Sequence, residues 1–98
     1  MKEYELFTVI KPHMDSDEVT KLVDKIEEQV AQYGGKTLST DKIGRKKLSY
    51  EINKFRDGFF VVHRMQIPAE KVADLKRQLK LNENILRNML VRAEKVSA

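Results

Sequence analysis

Cations in short runs and aromatics in a strand-like stretch are the residues here with chemistry to offer a partner. Lys42, Arg45, Lys46 and Lys47 form the densest basic run, Lys54 and Arg56 follow it, and Arg87 and Arg92 stand near the end. A guanidinium presents a planar fork of donors that fits phosphate oxygens, whereas a lysine ammonium acts as a point charge. Each phosphate neutralised releases counterions, so such contacts weaken with salt. The same lysines on an exposed strand also discourage edge-to-edge aggregation. An edge blocked against itself still accepts one complementary partner, and Asp41, Lys42, Lys46 and Lys47 suit a protein in that role.

Other chemistries find little support. The chain has no cysteine, and its two histidines, His13 and His63, stand apart, so a zinc site of three or four ligands has no donor set and no cofactor is expected. Asp24, Glu27 and Glu28 fall on the polar side of a helical stretch and read as a solvated face, not a general acid/base pair. The segment Lys11-Pro12-His13-Met14 lacks the glycine or arginine that a phosphate-cradling loop of an acylphosphatase would need. A non-enzymatic protein is expected.

The charge is unevenly spread. The first 41 residues carry 5 Lys or Arg against 9 Asp or Glu, and the remainder carries 14 against 6, giving a net +4. Such asymmetry is the footprint of a protein with one side facing a polyanion. With 98 residues, 41% hydrophobic and 35% charged, the chain suits one soluble domain, residues 1–98, with a frayed tail over 93–98. No apolar run approaches a membrane span, and Met1-Lys2-Glu3-Tyr4 lacks the apolar stretch of a secretory signal, so a cytoplasmic protein is the default.

The elements that must position these residues follow from periodicity. Tyr4 to Ile10 alternates as a strand, with Tyr4, Leu6, Thr8 and Ile10 on one face and Glu5, Phe7 and Val9 on the other. Asp15 or Ser16 caps a helix in which Val19, Leu22, Val23, Ile26, Val30 and Tyr33 form one stripe, and Gly34-Gly35 ends it. Lys36 to Ile52 reads as a long polar strand with a bulge or bend at Gly44. Asn53 to Gly58 supplies a turn centred on Asp57-Gly58, and Phe59 to Ile67 a third strand. Ala69 to Leu81 is a second helix, with Val72, Leu75 and Leu79 inward, and Ile85 to Arg92 a last strand. The order βαββαβ predicts an α+β, ferredoxin-like fold, a four-stranded antiparallel sheet with two helices on one face. Right-handed crossovers place the first and third strands in the centre. In the third strand, Phe60 and Val62 are expected in the core, while Phe59 and Val61 join Phe7 on an apolar outer face. A bare sheet face should be polar unless a partner covers it.

The segment Gly44-Arg45-Lys46-Lys47-Leu48-Ser49-Tyr50-Glu51-Ile52 resembles the signature of the small-subunit ribosomal protein S-six family: glycine, a basic run, Leu-Ala-Tyr, any residue, Ile. Tyr4-Glu5, Gly34-Gly35, Gly58-Phe59-Phe60, Asn84-Ile85-Leu86-Arg87 and Val91-Arg92 match in order. Ser49 replaces the usual alanine, Glu51 stands where many members carry proline, and Lys46 and Lys47 stand where arginine is common. The resemblance implies a non-catalytic protein that pairs with ribosomal protein S-eighteen and binds the central domain of small-subunit (16S) ribosomal RNA during assembly. Chemistry and resemblance together assign Arg87, Arg92, Arg45, Lys54 and Arg56 to RNA. Asp41, Lys42, Lys46, Lys47, Leu48, Tyr50, Phe59 and Val61 are assigned to the protein partner. The alternative on the same fold is an autonomous single-stranded RNA binder of the RNA-recognition-motif type, which would stack bases on exposed aromatics.

Overall fold

The computed structural model of the protein describes residues 2–52 and 54–92; the expected frayed tail, 93–98, lies outside them. The chain runs β1 (Lys2–Ile10), α1 (Ser16–Gln32), β2 (Lys36–Ile52), β3 (Phe55–Ile67), a 3-10 turn (Ala69–Lys71), α2 (Val72–Lys80) and β4 (Ile85–Arg92). The strands form one antiparallel sheet in the order β2-β3-β1-β4, so the ferredoxin-like arrangement and its central pair are as the periodicity predicts. Asp15 caps α1 through a reciprocal capping box. Its carboxylate accepts from the Glu18 N–H at 2.8 Å, and the Glu18 carboxylate accepts from the Asp15 N–H at 3.4 Å. Gly34, at φ +82°, takes the left-handed conformation that closes α1, and the Gly35 N–H donates to the Val30 carbonyl at 2.8 Å.

The core lies between the helices and one face of the sheet. Val19, Leu22, Val23, Ile26 and Val30 from α1 and Leu75 and Leu79 from α2 bury against Leu6, Ile10, Val61, Met65 and Ile67. Strand pairing fixes the faces. Thr8 stands opposite Val61 and Leu6 opposite His63, whereas Phe7 stands opposite Val62 and Val9 opposite Phe60. Directly opposed residues share a face. The expected facing of β3 is therefore reversed. Val61 is 1% exposed in the core and Phe59 packs against it, while Phe60 and Val62 lie on the open face. Neither Val61 nor Phe59 is placed to meet a partner.

The hairpin turn also differs from expectation. Asp57 and Gly58 lie within β3, and after an irregular stretch beyond Lys47 the strands pair again at Ile52 opposite Phe55, next to Lys54 at φ +70°. Gly58 is required by space, not by a turn: a Cβ there would lie 2.5 Å from Val9 Cγ1 and 3.3 Å from the Ile10 carbonyl oxygen. The bend expected at Gly44 is present, with φ +110° and a register shift between Lys42 and Gly44.

His63 is fully buried, with Nε2 3.4 Å from the Glu27 carboxylate, which accepts a hydrogen bond from the Thr40 hydroxyl at 2.8 Å. Burial lowers the His63 pKa below its ordinary 6.5, and the nearby Glu27 only partly opposes this. The unfolded chain then binds the proton more readily than the folded one. The stabilisation from a neutral His63 is complete above about pH 6.5 and fades as pH falls toward the folded value, by at most about 1.4 kcal/mol per pH unit. His63→Leu is expected to remove that slope. Denaturant titrations of both proteins between pH 5 and 8 check it, and a stability difference that stays constant across the range contradicts it.

Candidate partner-binding face and edges

Among the described residues, the helices cover one face of the sheet and leave the other open. Alternation along the strands places Phe7 and Val9 of β1, Phe60 and Val62 of β3, and Arg87, Met89 and Val91 of β4 together there. Phe7 is 36% exposed, Met89 54% and Val91 37%, so exposed apolar side chains stand on one face instead of being scattered singly. Arg64 and Glu5 pair at 3.5 Å on the same face and give it a polar border.

The far end of β2 folds toward this face. Its regular pairing breaks after Lys47, and Leu48, Tyr50 and Ile52 join Val9, Phe60, Lys46 and Arg87 around a cleft of about 320 Å³. The Arg87 guanidinium lies 5.7 Å from the centre of the Tyr50 ring, a cation–π contact between the two edge strands. Tyr50 remains 58% exposed.

The residues assigned from sequence divide among several places. Asp41 and Lys46 lie opposite Val62 and Gly58, on rows that continue the open face. Lys42, Arg45 and Lys47 lie opposite Val61, Phe59 and Asp57, on rows that continue the helix-covered face. Lys42 Nζ lies 3.4 Å from the Thr20 hydroxyl of α1, and Arg45 pairs with Asp57 at 2.9 Å, which leaves its guanidinium less free for phosphate. Lys54 and the exposed Arg56 occupy the hairpin tip, Arg56 only 3.9 Å from Glu51. Arg92 is exposed at the end of β4, opposite Tyr4 and on the other row from Arg87. The sequence reading missed Met89 and Val91, although both share the parity of Arg87.

A sheet with one apolar face bare and cations along its edges is built to dock. Residues 3–92 match the family model described as ribosomal protein S6. The chain belongs to the ribosomal protein S6 family. It is 35% identical over 92 residues to small ribosomal subunit protein bS6 of Desulforamulus reducens, covering 94% of this chain and 97% of that one. It is 38% identical over 91 residues to bS6 of Clostridioides difficile, covering 93% and 98%. The crystal structure of 30S ribosomal protein S6 from Thermotoga maritima shares the fold, with TM-score 0.89 over 94% of this chain and 87% of that one at 24% identity. As a member of the S6 family the protein is a structural constituent of the small ribosomal subunit and associates with that particle. The family is one of structural ribosomal proteins and is not known for enzymatic activity. Among the described residues, no helix is long and apolar enough to cross a membrane.

Proposed function

We propose that this single-domain, cytoplasmic protein binds small-subunit ribosomal RNA jointly with ribosomal protein S-eighteen and assists assembly of the central domain. The uncovered sheet face carries the reading. Phe7, Val9, Phe60, Val62, Met89 and Val91 offer apolar area that water disfavours, and a protein partner seated on it removes that area from solvent. Leu48, Tyr50, Asp41 and Lys46 extend the surface along β2, with Lys47 at the cleft's edge and Lys42 on the same strand toward the helix-covered side. Arg87, Arg92, Lys54 and Arg56 lie at the rims, where phosphates can reach them after the partner docks; Arg45 serves the same role more weakly, because Asp57 holds it.

The test is RNA binding by the full chain with and without S-eighteen, across a salt series. Weak binding alone and a sharp rise with the partner are expected. Arg87→Ala is expected to reduce the salt slope of joint binding by about 1, the signature of one lost phosphate contact. An unchanged slope removes Arg87 from the RNA surface.

A second reading, autonomous binding of single-stranded RNA, draws support from the corrected facing, which puts Phe7 and Phe60 on one open surface. Leu48 and Tyr50 share the cleft with Phe60, so Phe7 is the freer stacking platform. Tight, sequence-specific binding by the chain without S-eighteen would favour this second reading.

A further inference from the structure

At the end of the sheet nearest the β2–β3 turn, the loop after β1 meets the first residue of β3. The Lys11 N–H donates to the Asn84 carbonyl at 2.9 Å, which ties the loop to the turn before β4. Pro12 restricts the backbone between Lys11 and His13. The His13 and Phe55 rings stack with centroids 6.0 Å apart and planes 25° from parallel, and Lys11 Nζ lies 5.9 Å from the centre of the same Phe55 ring. His13 is exposed, and Lys11 and Phe55 are half-buried.

The packing of the core does not require this arrangement. Neither His13 nor Phe55 belongs to the core cluster or to the partly buried hydrophobics packed against it. The surroundings favour an anion. Lys54 and Arg56 flank Phe55 and are exposed. Of the carboxylates around it, Glu51 faces Arg56 at 3.9 Å, Asp57 is held by Arg45 at 2.9 Å, Asp15 is turned to cap α1, and Glu83 stands exposed in the turn before β4.

We infer that Lys11, His13 and Phe55 form a second RNA contact, in which an unpaired nucleotide stacks its base on the His13–Phe55 pair and sets its phosphate against Lys11. This inference rests on the RNA-binding reading above. Aromatic and imidazole rings accept any base through its π face, and a neighbouring ammonium anchors the backbone without needing a fixed sequence. An unpaired nucleotide fits better than a helix, because stacking requires a base free of its own neighbours. The corner is set apart from the open face, since Phe55 lies on the row of β3 shared by Asp57 and Phe59.

The test uses the full chain with small-subunit ribosomal RNA and S-eighteen. Phe55→Leu and His13→Gln are each expected to weaken joint RNA binding about fivefold to a hundredfold, the range found for loss of one stacked base. Lys11→Gln is expected to lower the salt slope by about 1 with the melting temperature unchanged, so the inference stays testable even if an aromatic variant folds poorly. Ultraviolet crosslinking of the complex is expected to attach a nucleotide to the peptide containing His13 or Phe55. If all three variants bind as wild type while Arg87→Ala does not, the corner merely packs a loop and the inference fails alone. Crosslinks from this corner to S-eighteen instead of RNA also overturn it. If the wild-type chain and S-eighteen together do not bind the RNA, the parent reading fails and takes the inference with it.

Discussion

A chain carrying Val61→Asp is expected not to fold, whereas Val62→Asp is expected to fold and lose its place in the small ribosomal subunit. The two positions are adjacent and chemically identical, and only the face of β3 separates them. Val61 is 1% exposed and lies against the helices, so an aspartate there is a charge without water or a partner. A cost of about 4–5 kcal/mol or more is expected, a large part of the roughly 5–15 kcal/mol that holds a small domain folded. Val62 stands on the open face opposite Phe7, where the carboxylate can reach solvent, and the expected cost there is about 1 kcal/mol. Circular dichroism and thermal melts of both variants check this. Similar losses in the two, or a stable Val61→Asp, contradict the facing.

The second large effect is expected at Met89. Met89 is 54% exposed on the edge strand β4 opposite Phe7, so replacing it with aspartate places a charge on the β4 side of the proposed docking surface and costs the free protein little. Desolvating that charge beside Phe7 against an apolar partner is expected to weaken binding to S-eighteen by about 30-fold or more. Calorimetric titration of the folded variant with S-eighteen measures it. An affinity within a few-fold of wild type would move the interface elsewhere.

These contrasts show how far the sequence could be read. The helices and strand order were legible because their patterns are redundant. In α1, five buried positions recur at spacings of three and four between an aspartate cap and a glycine stop, and no other period fits them. In β3 the pattern is not redundant. Phe59, Phe60, Val61 and Val62 are apolar on both rows, and His63, a polar residue, sits in the core, so alternation near the strand's start has no phase. The signal lay further along, where exposed Arg64 alternates with buried Met65 and Ile67. Counting back from Ile67 puts Val61 inside. Gly58 misled for a related reason: Asp57-Gly58 has turn chemistry, but the glycine is there because Val9 occupies the space of its missing side chain. The basic run of β2 was legible as a run, yet alternation sends Lys46 to one face and Arg45 and Lys47 to the other, and only the register, shifted at Gly44, shows which. The His13–Phe55 corner joins residues distant in sequence and left no local pattern to find.

The proposed docking sets the open sheet face against a neighbour and the helices away from it, and oxidative footprinting of side chains reads that difference directly. The chain is oxidised free and within assembled small ribosomal subunits, and the modified positions are identified by mass spectrometry. Met89, Phe7 and Tyr50 are expected to react in the free chain and to be strongly protected in the particle, while Leu81, 70% exposed at the end of α2, reacts alike in both. Equal oxidation of Met89 in the two states, with protection at Leu81 instead, would contradict the account.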